Sequence, residues 1–319
     1  MDMKQAIGGY FSLELPKYDE YHKNAIRLNT GRNCLEYILL CRHYRKLYIP
    51  YYTCAAVLEP IKKLGINYVF YSIDSQFEIT DDISLNSEEA LLYTNYFGLK
   101  TIYIKRICEK FGHHLIIDNT QAFYANPLSG IDTFYTCRKF FGVADGAYLY
   151  TEAKANFAIN IDLSYERMNY LIKRIDLTPQ EGYADFQKSE ENLSHIPIKS
   201  MSKLTQRIMQ SIDYIQVANQ RKSNFLFLHN ALKDSNQLVL NYNQEDVPMV
   251  YPYLTIKDKL RDSLIKQHIF IAKYWPNVSE WAIANMYERY LADHLIPLPI
   301  DQRYSEKEMN QIIQTIISQ

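Results

Sequence analysis

The sequence predicts an α/β protein with three α/β/α layers, a mainly parallel sheet and a smaller C-terminal α+β domain. From about residue 46 to 150, short apolar runs alternate with stretches of helical length, a pattern typical of βα units. From about residue 152 to 200 the sequence becomes polar and irregular, and amphipathic helical spacing then returns. The 319 residues, 47% of them hydrophobic, are enough for one large core and a second, smaller one.

The predicted elements follow one another in a regular order. A helix over 32–42 begins just after a turn at 29–31, and later helices are predicted at 54–64, about 102–111, 204–215, 225–232 and 306–318. Strands are predicted at 46–49, 67–73, 90–95, 115–118, 133–136, 147–151, 249–255 and 295–300. Gly65 and Gly112 are placed to end the helices that precede them.

The change in pattern after residue 151 predicts two domains. We expect a large domain over residues 1–219, in which residues 1–25 form an N-terminal arm, and a small domain over 220–319.

Composition excludes several classes of function. With 35 basic and 36 acidic residues, the net charge of -1 gives no field that would attract nucleic acid or an anionic membrane. The five cysteines form no CxxC pair, which favours free thiols in a reducing compartment over disulfides or a zinc site. The N-terminus has no apolar signal-peptide core, and no segment has the length of a membrane span, so we expect a cytoplasmic protein.

Three features carry candidate chemistry. Asp118 ends an apolar strand, where open α/β sheets place functional groups, although such a residue is also a common turn former. Arg138 and Lys139 follow another strand and would ordinarily be read as a solvated basic pair. The turn at residues 30–33, Thr-Gly-Arg-Asn, opens a helix, and its N–H groups and helix dipole form a candidate anion site.

Together these features fit pyridoxal-phosphate (PLP) chemistry. That cofactor needs a lysine amine for the imine, a carboxylate that keeps the pyridine nitrogen protonated, and an anchor for the phosphate. No GxGxxG or Walker-type loop is present, so a nicotinamide or nucleoside-triphosphate site lacks its main support.

The motifs resemble those of the DegT/DnrJ/EryC1/StrS family of PLP-dependent sugar aminotransferases, of fold type I. Residues 118–122, Asp-Asn-Thr-Gln-Ala, are similar to the family's Asp-x-Ala-Gln/His-Ala segment. Residues 134–147 resemble its Ser-Phe-x-x-x-Lys-x-x-x-x-x-Glu-Gly-Gly segment without a gap. The turn at 30–33 resembles the family's phosphate turn, and residues 48–53 resemble its strand ending in Pro-x-x-Thr-aromatic.

The resemblance implies a set of roles. Lys139 would be the Schiff-base lysine and acid–base catalyst, and Asp118 would contact the pyridine nitrogen. The residues expected to bind the cofactor are Thr30, Gly31, Arg32, Asn33, Tyr52, Cys54, Asp118, Gln121, Thr136 and Lys139, and no metal is expected. The implied reaction moves an amino group from a donor such as glutamate to a nucleotide-linked keto sugar, for polysaccharide or secondary-metabolite biosynthesis, in a homodimer.

The sequence also departs from the family pattern. Phe134 replaces the serine that opens the lysine segment, which leaves Tyr135 or Thr136 as substitutes. Cys54 takes the ring-stacking position, and Ile-Lys-Ser at 198–200 replaces an Asn-x-Arg segment that reaches the neighbouring subunit, with Lys199 as its basic residue. Two alternatives follow: a homologue that binds PLP without turnover, and another PLP-dependent sugar reaction. Related dehydratases carry histidine in place of the lysine, so Lys139 argues against dehydration.

Overall fold

A seven-stranded sheet forms the centre of the molecule. The computed structural model describes residues 7–319. The strands of this sheet are β1 (Ile26–Leu28), β2 (Lys46–Pro50), β3 (Asn67–Tyr71), β4 (Glu89–Thr94), β5 (Leu115–Asp118), β6 (Asp132–Thr136) and β7 (Ala147–Tyr150). Their order across the sheet is β1-β7-β6-β5-β4-β2-β3.

The direction of the strands confirms the predicted fold class. Strands β3, β2, β4, β5 and β6 pair in parallel, whereas β7 is antiparallel to both β6 and β1. The carboxyl ends of the five parallel strands therefore meet at one edge, the place where open α/β sheets bind ligands.

Helices cover both faces of the sheet. On the chain up to residue 232 they are α1 (Gly31–Arg42), α2 (Leu58–Lys63), α3 (Thr101–Phe111), α4 (Asn169–Asp176), α5 (Tyr183–Asn192), α6 (Lys203–Met209) and α7 (Tyr214–Leu232). Apolar residues of α1 and α2, such as Leu35 and Ile61, are buried with Leu47 and Ile116 of the sheet. On the other face, Ile107 of α3 belongs to a separate core. Successive side chains of a strand point to opposite faces, so the sheet contributes apolar residues to the cores on both of its faces.

A second, smaller sheet lies in the C-terminal part. It pairs β8 (Val250–Leu254) and β9 (Leu295–Pro299) in antiparallel fashion. The helices of this part are α8 (Leu260–Lys266), α9 (Val278–Trp281), α10 (Tyr287–His294) and α11 (Glu306–Ile317). Apolar residues of α7, α8 and α11 pack on this sheet as a third core. The predicted boundary at residue 219 falls inside α7, and the division into two domains stays a prediction.

Two predictions for the region between the sheets were wrong. The polar stretch up to residue 200 contains the helices α4 and α5, which were not predicted because both are short and α5 is rich in charged residues. The single helix predicted over 204–215 is two helices, α6 and α7. The spacing of apolar residues continues across the break between them and so does not reveal it. At this break the Asp213 side chain accepts a hydrogen bond from the N–H of Gln216 and caps the start of α7.

Within residues 7–319, no helix is both long enough and apolar enough to cross a membrane.

Candidate functional site

Asp118 lies at the carboxyl end of β5, next to Phe134 of β6 in the sheet. Its strand neighbours are fixed by backbone hydrogen bonds, since the N–H of Asn119 donates to the Phe134 carbonyl at 2.8 Å and the N–H of Asn95 donates to the Asp118 carbonyl at 2.9 Å. The Asp118 residue is only 6% exposed. The sheet edge thus holds a carboxyl group in a place where water reaches it poorly.

Burial decides the electrostatics of this carboxyl group. Loss of solvent raises the pKa of Asp118, while the Lys139 charge and hydrogen bonds from the Thr120 side chain and backbone oppose the rise. Burial also raises the pKa of the Cys34 thiol in α1, and the Asp118 charge adds to that rise. Asp118 is therefore close to both Lys139 and the start of α1.

Thr120 connects the acid to the amine. Lys139 lies in the turn after β6, and its Nζ donates a hydrogen bond to Thr120 Oγ1 at 2.9 Å. The backbone N–H of Thr120 donates to Asp118 Oδ1 at 2.8 Å. Thr120 is absent from the predicted set of site residues. The signal that could have found it is the threonine at a position where the family segment has alanine.

Gly31 brings the helix start to the same place. A Cβ atom added to Gly31 would lie 3.3 Å from Thr120 Cγ2 and 3.7 Å from the Phe134 ring. The first turn of α1 therefore approaches Thr120 more closely than a larger residue would allow. Three of the predicted features, namely the turn, the carboxylate and the amine, thus meet around Thr120.

The other side chains of this turn are held by the protein itself. Thr30 Oγ1 caps α1 by accepting from the N–H of Asn33 at 3.1 Å. Asn33 Nδ2 donates to the Ile196 carbonyl at 3.1 Å, and Arg32 Nη1 donates to the Leu193 carbonyl at 2.6 Å. What the turn offers an anion is consequently its backbone N–H groups and the helix dipole, rather than these side chains.

Tyr52 lies among aromatic side chains, and Cys54 lies at the start of a short turn. Tyr52 is fully buried, with its ring 4.9 Å from that of Trp275 and 5.9 Å from that of Tyr96. Cys54 is half-buried just before a short 3-10 turn, Ala55–Val57. Their predicted cofactor contacts stay predictions.

Gln121 and Thr136 make internal hydrogen bonds close to the sheet edge. Gln121 Oε1 accepts from the N–H of Phe97 at 2.8 Å, and Thr136 Oγ1 donates to the Gly146 carbonyl at 3.4 Å. Both residues are buried. Each side chain therefore has a structural partner already, and its role towards a cofactor stays a prediction.

The basic residues near the site are paired. Lys199 Nζ donates to Asp162 Oδ1 at 3.2 Å within the same chain. The Arg138 guanidinium forms an ion pair with Glu190 of α5, and its side chain is only 18% exposed. Sequence reasoning treated Arg138 as solvated surface, because the helix that supplies its partner was not predicted.

Among residues 7–319, no group of three or more His, Cys, Asp or Glu side chains is placed to hold a metal ion.

Comparison with solved structures shows several similar folds. Spr1654 of Streptococcus pneumoniae, described as a sugar aminotransferase, has a TM-score of 0.66 at 15% identity in its apo form, covering 92% of this chain and 85% of the other. DesV of S. venezuelae, solved with a ketimine intermediate, has a TM-score of 0.63 at 14% identity, with 92% and 84% covered.

A third similar structure is a DegT DnrJ EryC1 StrS aminotransferase of Brucella abortus, with a TM-score of 0.60 at 15% identity and 92% and 85% covered. No protein-family model matches the chain, and no curated protein matches its sequence. The likeness is thus one of architecture, and it covers 92% of this chain in each case. The chain has the fold of solved aminotransferases, among them one described as a sugar aminotransferase.

Proposed function

We propose that the chain is a PLP-dependent aminotransferase. The observation that carries this proposal is a set of three chemical groups around Thr120: the Lys139 amine, the buried Asp118 carboxyl and the start of α1 at Gly31. A lysine amine, a carboxylate and an anion site are the groups that PLP requires from a protein.

The residues present fit the cofactor. When bound, PLP supplies an electron sink that stabilises a carbanion at the amino donor's α-carbon. Lys139 would attach the cofactor, Asp118 would pair with its pyridine nitrogen, and the first N–H groups of α1 would hold its phosphate. The absence of a side chain at Gly31 supports the last role, because backbone donors can approach a ligand most closely there.

Lys139 would also move the proton in each half-reaction. Its side chain is exposed and lies in the turn after β6, from which its amine would carry a proton between the donor's α-carbon and the cofactor's C4′ atom. Asp118 would stay ionised next to the positive pyridine nitrogen, because an adjacent cation offsets the effect of burial on its pKa.

The proposed substrates are an amino donor such as glutamate and a keto sugar linked to a nucleotide. The motif resemblance and the description of several fold relatives as sugar aminotransferases support this choice. Residence in the cytoplasm is supported by the five free cysteines, which suit a reducing compartment.

Trapping the cofactor on Lys139 tests the proposal. Purified protein is incubated with PLP, treated with borohydride and digested, and peptide mass spectrometry locates the modified lysine. We expect the label on Lys139 and its loss in Lys139→Ala, while Lys154→Ala, which removes another exposed lysine, keeps it. Amino donors are then screened for conversion of PLP to its amine form. A wild-type protein that stays unmodified at Lys139 would refute the proposal.

A PLP-binding homologue without turnover is the second candidate. The observation that favours it is the state of the phosphate turn, where Phe134 packs against Gly31 and Arg32 is held by Leu193. This candidate predicts a label on Lys139 but no conversion with any amino donor. The aminotransferase proposal predicts both results, so the same experiment separates the two.

We also propose a homodimer. Helix α4 exposes Ile172 and Ile175, which are 53% and 84% exposed and lie on one face because they are three residues apart. Tyr183 of the neighbouring α5 is 58% exposed. Apolar side chains at this density on one helical pair suit an interface with a second copy of the chain.

A further inference from the structure

We propose that Thr120 is the positioning residue that holds the Lys139 amine beside Asp118. This inference rests on the proposed function, since it assigns a residue to the proposed site. Thr120 contacts both partners: its Oγ1 accepts from Lys139 Nζ at 2.9 Å, and its N–H donates to Asp118 Oδ1 at 2.8 Å. A single residue thereby sets the distance between the amine and the carboxylate.

The Lys139 side chain needs such a constraint. It is exposed and follows a turn rather than lying on a strand or helix, so its four-carbon stem is otherwise free to adopt many rotamers. An amine must be held within a fraction of an ångström of its productive position to react well. Hydrogen bonding to Thr120, which lies in the turn just after β5, supplies that order.

Gly31 fixes the position of Thr120 from the other side. A Cβ atom at Gly31 would stand 3.3 Å from Thr120 Cγ2, tighter than an ordinary contact, so an alanine there would displace the threonine side chain. The methyl group of Thr120 therefore packs against the start of α1 while its hydroxyl group holds the amine. The absence of a side chain at Gly31 thus leaves room for Thr120 to hold the Lys139 amine, in addition to its proposed role in phosphate binding.

The test measures the reactivity of Lys139 in protein freed of PLP. An acylating reagent is applied at fixed pH, and mass spectrometry compares the labelling rate of Lys139 with that of the exposed Lys154. Thr120→Ala is expected to raise the Lys139 rate by about tenfold, the factor equivalent to ~1.4 kcal/mol, near the lower end of the range for a hydrogen bond to a charged group. Thr120→Ser keeps the hydroxyl group and is expected to keep the wild-type rate.

A second pair of variants keeps the proposal testable if Thr120→Ala fails to fold. Gly31→Ala is expected to raise the Lys139 rate by displacing Thr120. The double variant Gly31→Ala, Thr120→Ser lacks the threonine methyl group that the new alanine would displace. It is expected to restore the wild-type labelling rate of Lys139. Equal rates in wild type and Thr120→Ala, or a double variant as reactive as Gly31→Ala, would overturn the proposal.

A final readout concerns cofactor attachment. The rate at which borohydride traps PLP on Lys139 is expected to fall in Thr120→Ala and to be preserved in Thr120→Ser. The labelling experiment uses no PLP, so its outcome is independent of the proposed function. If the variants change the labelling rate as expected but PLP does not attach to Lys139, the aminotransferase proposal is refuted and the role of Thr120 stands. If PLP attaches but Thr120→Ala leaves the labelling rate of Lys139 unchanged, only the role of Thr120 is refuted.

Discussion

Asp118 and Lys139 differ in their exposure to solvent. The carboxyl group is buried at the end of a central strand, while the amine lies exposed in a turn, and Thr120 connects them. Burial raises the pKa of Asp118, so its ionised form has an electrostatic cost that a chain selected for stability alone would avoid. Groups with such costs concentrate at functional sites.

This cost predicts that Asp118→Asn stabilises the PLP-free protein at neutral pH. The folded pKa of Asp118 lies above its unfolded value of 3.8, so the folded state of the wild type loses stability as the pH rises from 3.8 through the folded pKa. The variant lacks this loss. We expect a melting temperature about 2 °C or more above that of the wild type at pH 7.

Thermal unfolding across a pH series checks this expectation. The difference in melting temperature between the two proteins is expected to shrink as the pH falls through the folded pKa, and to vanish below 3.8, where the wild-type carboxyl group is protonated in both states. A variant that is less stable than the wild type at pH 7 would show that the ionised carboxylate is net favourable, contrary to the direction of its pKa shift.

At the scale of elements, the N-terminal arm is anchored by one buried histidine. His22 Nε2 lies 2.7 Å from the Phe123 carbonyl, and Nδ1 lies 3.2 Å from the Tyr150 hydroxyl. The tautomer with its proton on Nε2 satisfies both contacts. Burial lowers the pKa of His22 from 6.5 to about 4, although the bond to Phe123 opposes the shift.

His22 is therefore expected to make the arm sensitive to acid. A depressed histidine pKa contributes stability that is present above the unfolded value of 6.5 and is lost as the pH falls towards about 4. The loss amounts to ~3 kcal/mol for a fully buried ring. Urea midpoints of His22→Gln are expected to vary less between pH 6.5 and 4 than those of the wild type.

An exposed histidine provides the control for this prediction. His268 lies on the surface, and His268→Asn is expected to keep the wild-type pH dependence. If His22→Gln instead shows the same slope as the wild type, the acid sensitivity comes from other groups.

The helices α4 and α5 link the site to the surface at the same scale. Glu190 of α5 pairs with Arg138, the residue before Lys139, and Leu193 just after α5 accepts a hydrogen bond from Arg32 in the first turn of α1. This helical pair therefore packs over two of the features that the sequence predicted for the site.

At the scale of the whole molecule, the exposed face of α4 predicts the assembly. Ile172→Asp combined with Ile175→Asp places charge on that face and is expected to weaken dimer formation by about tenfold or more, since apolar groups at the centre of an interface carry most of its energy. Light scattering over a concentration series measures the association. Ile317→Asp, at the exposed end of α11, is the control and should leave it unchanged. A monomeric wild type would refute the dimer.

Much of the framework could be predicted from local signals. The strand β5 has the bounds that its apolar run predicts, and α1 begins at the predicted turn because Thr30 caps it. These elements depend on apolar period, capping and glycine, which neighbouring residues along the chain determine. The same signals also predicted the mainly parallel sheet and the order of the turn, the aspartate and the lysine.

The contacts within the site were decided by the tertiary structure. Sequence spacing could not show that Thr120 joins Lys139 to Asp118, that Gly31 approaches Thr120, or that Arg32 is held by the Leu193 carbonyl. Apart from the local contact between Asp118 and Thr120, these contacts join residues far apart in sequence, and they form only when strands and helices pack together. The sequence by itself therefore determined which chemical groups reach the sheet edge, and the packing decided which of them touch.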